Sequence, residues 1–206
     1  MFWTVLPLYQ NLRNLDGVNF ADETVWEGKL VSGQNFNYRG STKGYQFISD
    51  ATDLSQIKSD TYDFLLSSNC LEHVANPLKA LLEWKRVIKP GGSFILVLPN
   101  KVSNFDHNRP ITSFEHILED LTCATTEHDL THLDEILALH DLAMDPPAGD
   151  KENFKKRSLD NFRNRTLHHH VFDLSLMKSM LSHLGLEIVH TTETPTDLFA
   201  LARKKN

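Results

Sequence analysis

The sequence predicts an α/β protein whose open, doubly wound sheet is mostly parallel and carries an antiparallel C-terminal hairpin strand. Two observations support this fold class. Residues 62–98 read as strand, helix and strand with short joints, which is the pattern of a parallel βαβ unit. Residues 173–203 read as helix, strand and strand, and the short turn between the last two predicts an antiparallel pair. The 206 residues suit one domain, which we predict to span residues 1–206.

The elements before residue 62 are short. Residues 17–21 and 45–49 are two strand candidates, and the polar, glycine-containing residues 27–44 between them have weak helical character. Residues 62–68 form an apolar run that ends in small polar residues, as a buried strand does.

Asn76 and Pro77 then give a helix cap followed by proline at the first helical position. Apolar residues follow at helical spacing up to Ile88, and Pro90-Gly91-Gly92 is expected to end the helix. Residues 93–98 are a second buried strand.

A polar, histidine-rich insert is predicted over residues 100–172, with a helix at residues 133–142 and a break at residues 145–149. Asp173 or Ser175 should cap the last helix, which Gly185 ends. Residues 186–192 and 198–203 are the two strands of the hairpin.

Composition narrows the function classes. The net charge of −6 disfavours nucleic acid as a partner. No run of about 18 apolar residues exists, so neither a membrane span nor a membrane partner is expected. A signal peptide would have a basic segment and a cleavage site, and the apolar start of this sequence has neither. Two cysteines among ordinary globular sequence are expected to be free thiols. We therefore expect a cytoplasmic protein.

Residues 62–100, YDFLLSSNCLEHVANPLKALLEWKRVIKPGGSFILVLPN, carry a family resemblance. The Asp63-Phe64 strand, Leu71-Glu72-His73, and the run from Arg86 to Gly92 closely resemble the central block of class I SAM-dependent methyltransferases of type 11. The Asp50-Ala51 pair resembles the one that follows the third strand in that family. The resemblance implies a Rossmann-like fold, S-adenosylmethionine (SAM) as cofactor, and methyl transfer to an unidentified, small-molecule acceptor.

The resemblance also implies cofactor contacts at strand ends, where ligands of open α/β sheets lie. Asp50 would accept from the adenine amino group while the Ala51 N–H faces a ring nitrogen. Asp50 could instead be a turn residue, with Asp53 as its rival for the adenine contact. Further cofactor contacts, to the methionine part, are expected from Ser67, Ser68 and Asn69, which as an alternative are a polar strand terminus.

Two histidines are catalytic candidates. His73 lies beside the cofactor methionine in the family and could line the acceptor pocket, or it could cap the turn before Asn76. His107 follows the end of the second strand, near where an acceptor would lie.

The family's first strand ends in an acidic, glycine-rich turn that nothing here matches. The position that binds both ribose hydroxyls holds Asn19, with Asp22 and Glu23 as substitutes. Residues 1–15 would be what remains of the first helix. Either the true start lies upstream or the first βα unit is missing, and in both cases open strand edges are expected. A second hypothesis is therefore a non-catalytic remnant that acts through a protein partner or as a homo-oligomer.

The insert contains three histidine groups. Asp106 to Arg109 holds the first. In the second, His128 and His132 are four residues apart and could share a helical face, a spacing compatible with metal ligation. Three adjacent histidines, His168 to His170, cannot all face one way. Without an H-E-x-x-H motif or paired cysteines we predict no metal site, and a metal-dependent hydrolase remains a third hypothesis.

Overall fold

The computed structural model describes residues 12, 14–38 and 41–206, in two compact units, Met1–Gln56 and Ile57–Asn206. The single domain over residues 1–206 stays a prediction. The helix remnant expected within residues 1–15 lies almost wholly outside the described residues.

The first unit contains two small sheets. Strand β1 pairs in parallel with β5, and β4 pairs antiparallel with the other side of β5. Strands β2 and β3 form a separate antiparallel pair. The strands are β1 (Gly17–Asn19), β2 (Glu23–Thr24), β3 (Gly28–Lys29), β4 (Gly33–Tyr38) and β5 (Ser41–Ile48). Both predicted strands of this region are confirmed.

The weak helical character expected for residues 27–44 is wrong, since this stretch forms β3, β4 and the start of β5. Aromatic residues that alternate with polar ones explain the outcome, because they suit a pleated, half-buried surface. Tyr45 and Phe47 lie two residues apart in β5 with ring centroids at 4.5 Å. Gly17 allows the ring of Phe36 to approach β1, where a Cβ atom would come within 2.2 Å of it.

The second unit is built on a four-stranded sheet with the order β6-β7-β9-β8. Strands β6 and β7 run parallel, whereas β9 pairs antiparallel with both β7 and β8. The strands are β6 (Tyr62–Ser68), β7 (Ile88–Pro99), β8 (Glu187–Glu193) and β9 (Asp197–Arg203). The predicted βαβ unit and the antiparallel hairpin are confirmed.

Helix α1 (Pro77–Val87) connects β6 to β7. The Asn76 side chain caps it, because its Oδ1 accepts from the N–H of Lys79 at 3.1 Å. The helix ends before Ile88, which already lies in β7. The assignment of Pro90-Gly91-Gly92 as a helix stop is also wrong: Gly91 N–H donates to the Lys204 carbonyl at 2.8 Å, which extends β7 through this segment.

Five further helices lie in the second unit. They are α2 (Phe114–Thr122), α3 (Leu133–Leu139), α4 (Lys151–Leu159), α5 (Asn161–Asn164) and α6 (Leu174–His183). Helix α3 ends three residues earlier than predicted, since His140 takes an extended conformation and its Nε2 lies 3.2 Å from Asp145 Oδ2. Asp173, not Ser175, caps α6, with its Oδ1 accepting from Leu176 N–H at 2.7 Å. Among the described residues, no helix combines the length and apolarity that a membrane crossing needs.

The core of the second unit forms where helices pack on the sheet. Helix α1 contacts β7, and α6 contacts β8 and β9. Trp84 of α1 stacks near Phe94 of β7, with ring centroids 6.1 Å apart. Leu81 of α1 is fully buried, whereas the adjacent Leu82 is 44% exposed.

These two leucines allow a matched test of the core. We expect Leu81→Ala to lower the free energy of unfolding by about 2–5 kcal/mol, because it removes buried methyl groups and leaves a cavity. Leu82→Ala changes the same side chain at the next position and should cost less than about 1 kcal/mol. Urea unfolding followed by circular dichroism measures both. Equal losses would contradict the burial of Leu81 and the exposure of Leu82.

Candidate active site

The carboxyl end of β6 carries three of the predicted cofactor residues. Ser67 and Ser68 pair with Leu96 and Val97 of β7, and Asn69 N–H donates to the Val97 carbonyl at 3.0 Å. Asn69 has a φ of 49°, a left-handed conformation that Asn tolerates and that turns the chain away from the sheet. The Ser67 hydroxyl is buried, and no described residue makes a hydrogen bond to it. Such a group carries a desolvation cost that a polar ligand would remove.

A single 3-10 turn, Leu71–His73, follows directly. Glu72 is 1% exposed, and no described group hydrogen bonds to its Oε2. Burial raises the pKa of Glu72 to about 7, against the opposing charge of His168. The ring of His73 lies 4.6 Å from that of His168, and its Nδ1 lies 3.1 Å from the Leu167 carbonyl oxygen. Because a carbonyl can only accept, Nδ1 carries the proton and Nε2 has the lone pair.

Burial and the positive charge of His168 hold the pKa of His73 well below its usual range. The ring is therefore neutral at neutral pH, with a lone pair on Nε2.

A buried ion pair supports this turn from the insert. Asp106 accepts from Arg109 Nη1 at 2.9 Å and from His168 Nδ1 at 2.5 Å. Burial alone would raise the pKa of Asp106, but the charges of His168 and Arg109 outweigh it and hold the pKa at about 2. For His168, burial acts to lower the pKa because it disfavours the charged ring. The nearby Asp106 carboxylate more than offsets this effect, so the pKa of His168 is raised. The raised pKa of His168 favours its protonated form next to the neutral His73.

His107, the other predicted catalytic residue, lies in a different hydrogen-bonded pair. Its Nε2 is 3.0 Å from Asp141 Oδ2, and both side chains are about one third exposed. His73 thus lies close to Glu72 and His168, whereas His107 is paired with Asp141.

The remaining predicted cofactor residues lie in the first unit. Asn19 accepts from Gln46 Nε2 at 3.0 Å through its Oδ1. Asp50 Oδ1 accepts from both the N–H and the hydroxyl of Thr52 at 2.8 Å, so the carboxylate closes the turn that contains Ala51. Asp50 therefore performs the turn role considered as its alternative, and its contact with adenine stays a prediction.

An open cleft of about 630 Å³ lies near the carboxyl end of β7. None of the predicted site residues lines it. Its lining includes Asn100, Lys101, Phe172, Thr194 and Pro195.

Sequence reasoning missed how the polar residues combine. In the sequence Asp106 and Arg109 share one short segment and His168 lies in a histidine run, but neither pattern indicates contact with the turn that contains Glu72. The three-residue spacing of Asp106 and Arg109 is a signal that could have predicted their ion pair, because it lets the two side chains meet within one turn. The approach of residue 168 to residue 106 depends on long-range folding that no local pattern contains.

One stability measurement tests the burial of Glu72. Its folded pKa of about 7 lies above an unfolded value of about 4.3, so the native state prefers the protonated form. The contribution of Glu72 to stability therefore falls as pH rises from about 4 to 7 and is constant above that. Glu72→Gln should match the wild type near pH 4 and be more stable by on the order of 3 kcal/mol at pH 8.

Glu187→Gln is the control, because Glu187 is exposed and solvent screens its charge. Its difference from the wild type in free energy of unfolding should stay small at both pH values. Urea unfolding at the two pH values gives the difference curves. A flat curve for Glu72→Gln would contradict a buried, proton-retaining carboxyl group.

Part of the chain is similar to a known protein family. Residues 6–96 match a family model described as a methyltransferase domain. Two uncharacterised proteins of Mycobacterium tuberculosis are each 32% identical over 72 residues, which is 35% of this chain and 24% of theirs. The chain thus spans only about a quarter of the length of these curated relatives.

Two crystal structures resemble nearly the whole chain. A Mesorhizobium loti S-adenosylmethionine-dependent methyltransferase has a TM-score of 0.51 at 12% identity, covering 93% of this chain and 80% of that one. A Listeria monocytogenes protein assigned to the same class has a TM-score of 0.50 at 14% identity, covering 94% and 81%. At these identities the likeness shows the fold, and it confirms the predicted Rossmann-like α/β class.

Proposed function

We propose that this chain, whose residues 6–96 match a methyltransferase-domain model, transfers a methyl group from SAM to a small-molecule acceptor. The observation that carries the proposal is the buried hydroxyl of Ser67, which has no described hydrogen-bond partner at the carboxyl end of β6. The continuous unit of β6, the turn Leu71–His73, α1 and β7 positions it there. Ligands of open α/β sheets bind at this end of the strands.

The residues fit SAM in part. Ser67, Ser68 and Asn69 offer hydroxyl, amide and backbone groups to the methionine part of the cofactor, and the unsatisfied Ser67 hydroxyl favours such a ligand. The sequence contains no glycine-rich turn of the family type, so the backbone contacts of that turn have no counterpart in these 206 residues. Asn19, Asp50 and Ala51 are proposed for the ribose and adenine. SAM supplies an electrophilic methyl group on a sulfonium.

The turn after β6 supplies the residue that would take a proton from the acceptor. A neutral His73 with its lone pair on Nε2 is a base for an acceptor that must lose a proton. The His168 imidazolium, paired with Asp106, keeps that ring neutral in the resting state. His107 is proposed as a second acceptor contact. Cys70 and Cys123 are not joined in a disulfide, which supports a reducing, cytoplasmic location.

A second candidate function is association with a partner or with a second copy of the chain. The observation in its favour is that β6 has a sheet neighbour on one side only among the described strands. An open edge is a template for strand pairing. Light scattering coupled to size exclusion separates the two candidates: a monomer that binds SAM favours the enzyme, whereas a dimer without SAM affinity favours association.

The SAM site is tested with Ser67→Ala. Loss of a hydrogen bond to the ligand should weaken SAM binding about tenfold, while removal of an unsatisfied buried hydroxyl should leave the fold as stable or slightly more stable. Isothermal titration with SAM gives the affinity and urea unfolding the stability. The exposed Ser175→Ala on α6 is the matched control and should bind SAM as the wild type does. Unchanged affinity in Ser67→Ala would remove Ser67 from the cofactor site.

A further inference from the structure

The insert brings together three histidines that are far apart in the sequence. His116 lies on α2, His132 directly precedes α3, and His170 lies in the segment before α6. One ring nitrogen of each lies within 4.8 Å of one nitrogen of each of the others. We propose that His116, His132 and His170 bind a divalent transition-metal ion, with Zn²⁺ as the best match.

The distances suit such an ion. Nε2 of His116 and Nε2 of His132 are 2.9 Å apart. Tetrahedral zinc with bonds of about 2.0–2.1 Å to imidazole holds its nitrogen ligands about 3.3 Å apart. A small outward shift of either ring therefore admits the ion. Without an ion, only one proton can lie between the two Nε2 atoms, since each nitrogen presents either a lone pair or one N–H.

The hydrogen bonding of His170 also supports a metal site. Its Nε2 lies 3.3 Å from the Ala75 carbonyl oxygen, to which it can only donate. Nδ1 then has the lone pair, and this atom is buried without a hydrogen-bond partner among the described residues. A histidine that ligates a metal through one nitrogen commonly donates the other N–H to a backbone carbonyl. His170 is 2% exposed, so the unmatched lone pair is costly unless a ligand meets it.

A carboxylate adjoins the three rings. Asp120 Oδ2 lies 3.4 Å from His170 Nε2 and 3.6 Å from His116 Nε2, and it too is buried without a described hydrogen-bond partner. A carboxylate at this position can compensate part of the charge of a bound dication.

A second group, Glu72, His73 and His168, also comes together, but its histidines have hydrogen-bond partners within the chain. His168 Nδ1 lies 2.5 Å from Asp106 Oδ2, and His73 Nδ1 lies 3.1 Å from the Leu167 carbonyl oxygen. The group around His170 instead contains a buried ring nitrogen without a described hydrogen-bond partner, so it is the group assigned to the metal. No sequence motif marks it, because its ligands come from three separate segments.

Metal binding is measured on the full chain after dialysis against a chelator. Titration with Zn²⁺ should show one equivalent bound and raise Tm, and Co²⁺ should give the visible absorption bands of a tetrahedral site. His116→Gln and His132→Gln should each weaken Zn²⁺ binding at least tenfold and lose the rise in Tm. Both rings are partly exposed, and circular dichroism verifies that the variants fold.

His128→Gln is the matched control from the same insert. His128 stacks on Phe162 with ring centroids 3.9 Å apart and should keep wild-type Zn²⁺ affinity when changed. Two results would overturn the proposal: a wild-type chain that takes up clearly less than one equivalent of Zn²⁺, or folded His116→Gln and His132→Gln variants that bind it as tightly as the wild type.

Discussion

The buried guanidinium of Arg109 is the interaction on which the insert depends. It is 1% exposed and bonds to Asp106, to Glu135 at the start of α3, and to the carbonyl oxygens of His168 and His169. Removing such a charge from water costs several kcal/mol unless every donor finds a partner. The chain can bury Arg109 only if these three segments converge, so the ion pair selects one arrangement of a polar, loop-rich region.

That arrangement also sets the turn after β6. With the carbonyls of His168 and His169 held by Arg109, the N–H of His169 donates to the Glu72 carbonyl at 2.8 Å, and the Leu167 carbonyl faces His73 Nδ1. The insert therefore determines the tautomer of His73 and the burial of Glu72. A residue that belongs to the family block by sequence owes its protonation behaviour to residues almost one hundred positions away.

Sequence reasoning succeeded where the signals are local. The Asn76 cap, the buried runs of β6 and β7, and the helix and hairpin after Asp173 all follow from neighbouring residues. It failed for residues 27–44, where glycine and polar residues hid the alternation of aromatic side chains. It also failed for His128 and His132, which share no helical face because α3 begins only at Leu133 and His128 lies in a turn.

The run from His168 to His170 shows why composition alone cannot assign roles to histidines. Successive residues of an extended segment point in different directions, so each ring meets different chemistry. His168 meets a carboxylate and stays charged, and His169 lies 3.0 Å from the side-chain amide of Asn161. His170 meets two further imidazoles and the Asp120 carboxylate, and its buried Nδ1 has no described hydrogen-bond partner. One segment thus serves two electrostatic environments because a single buried arginine fixes its backbone between them.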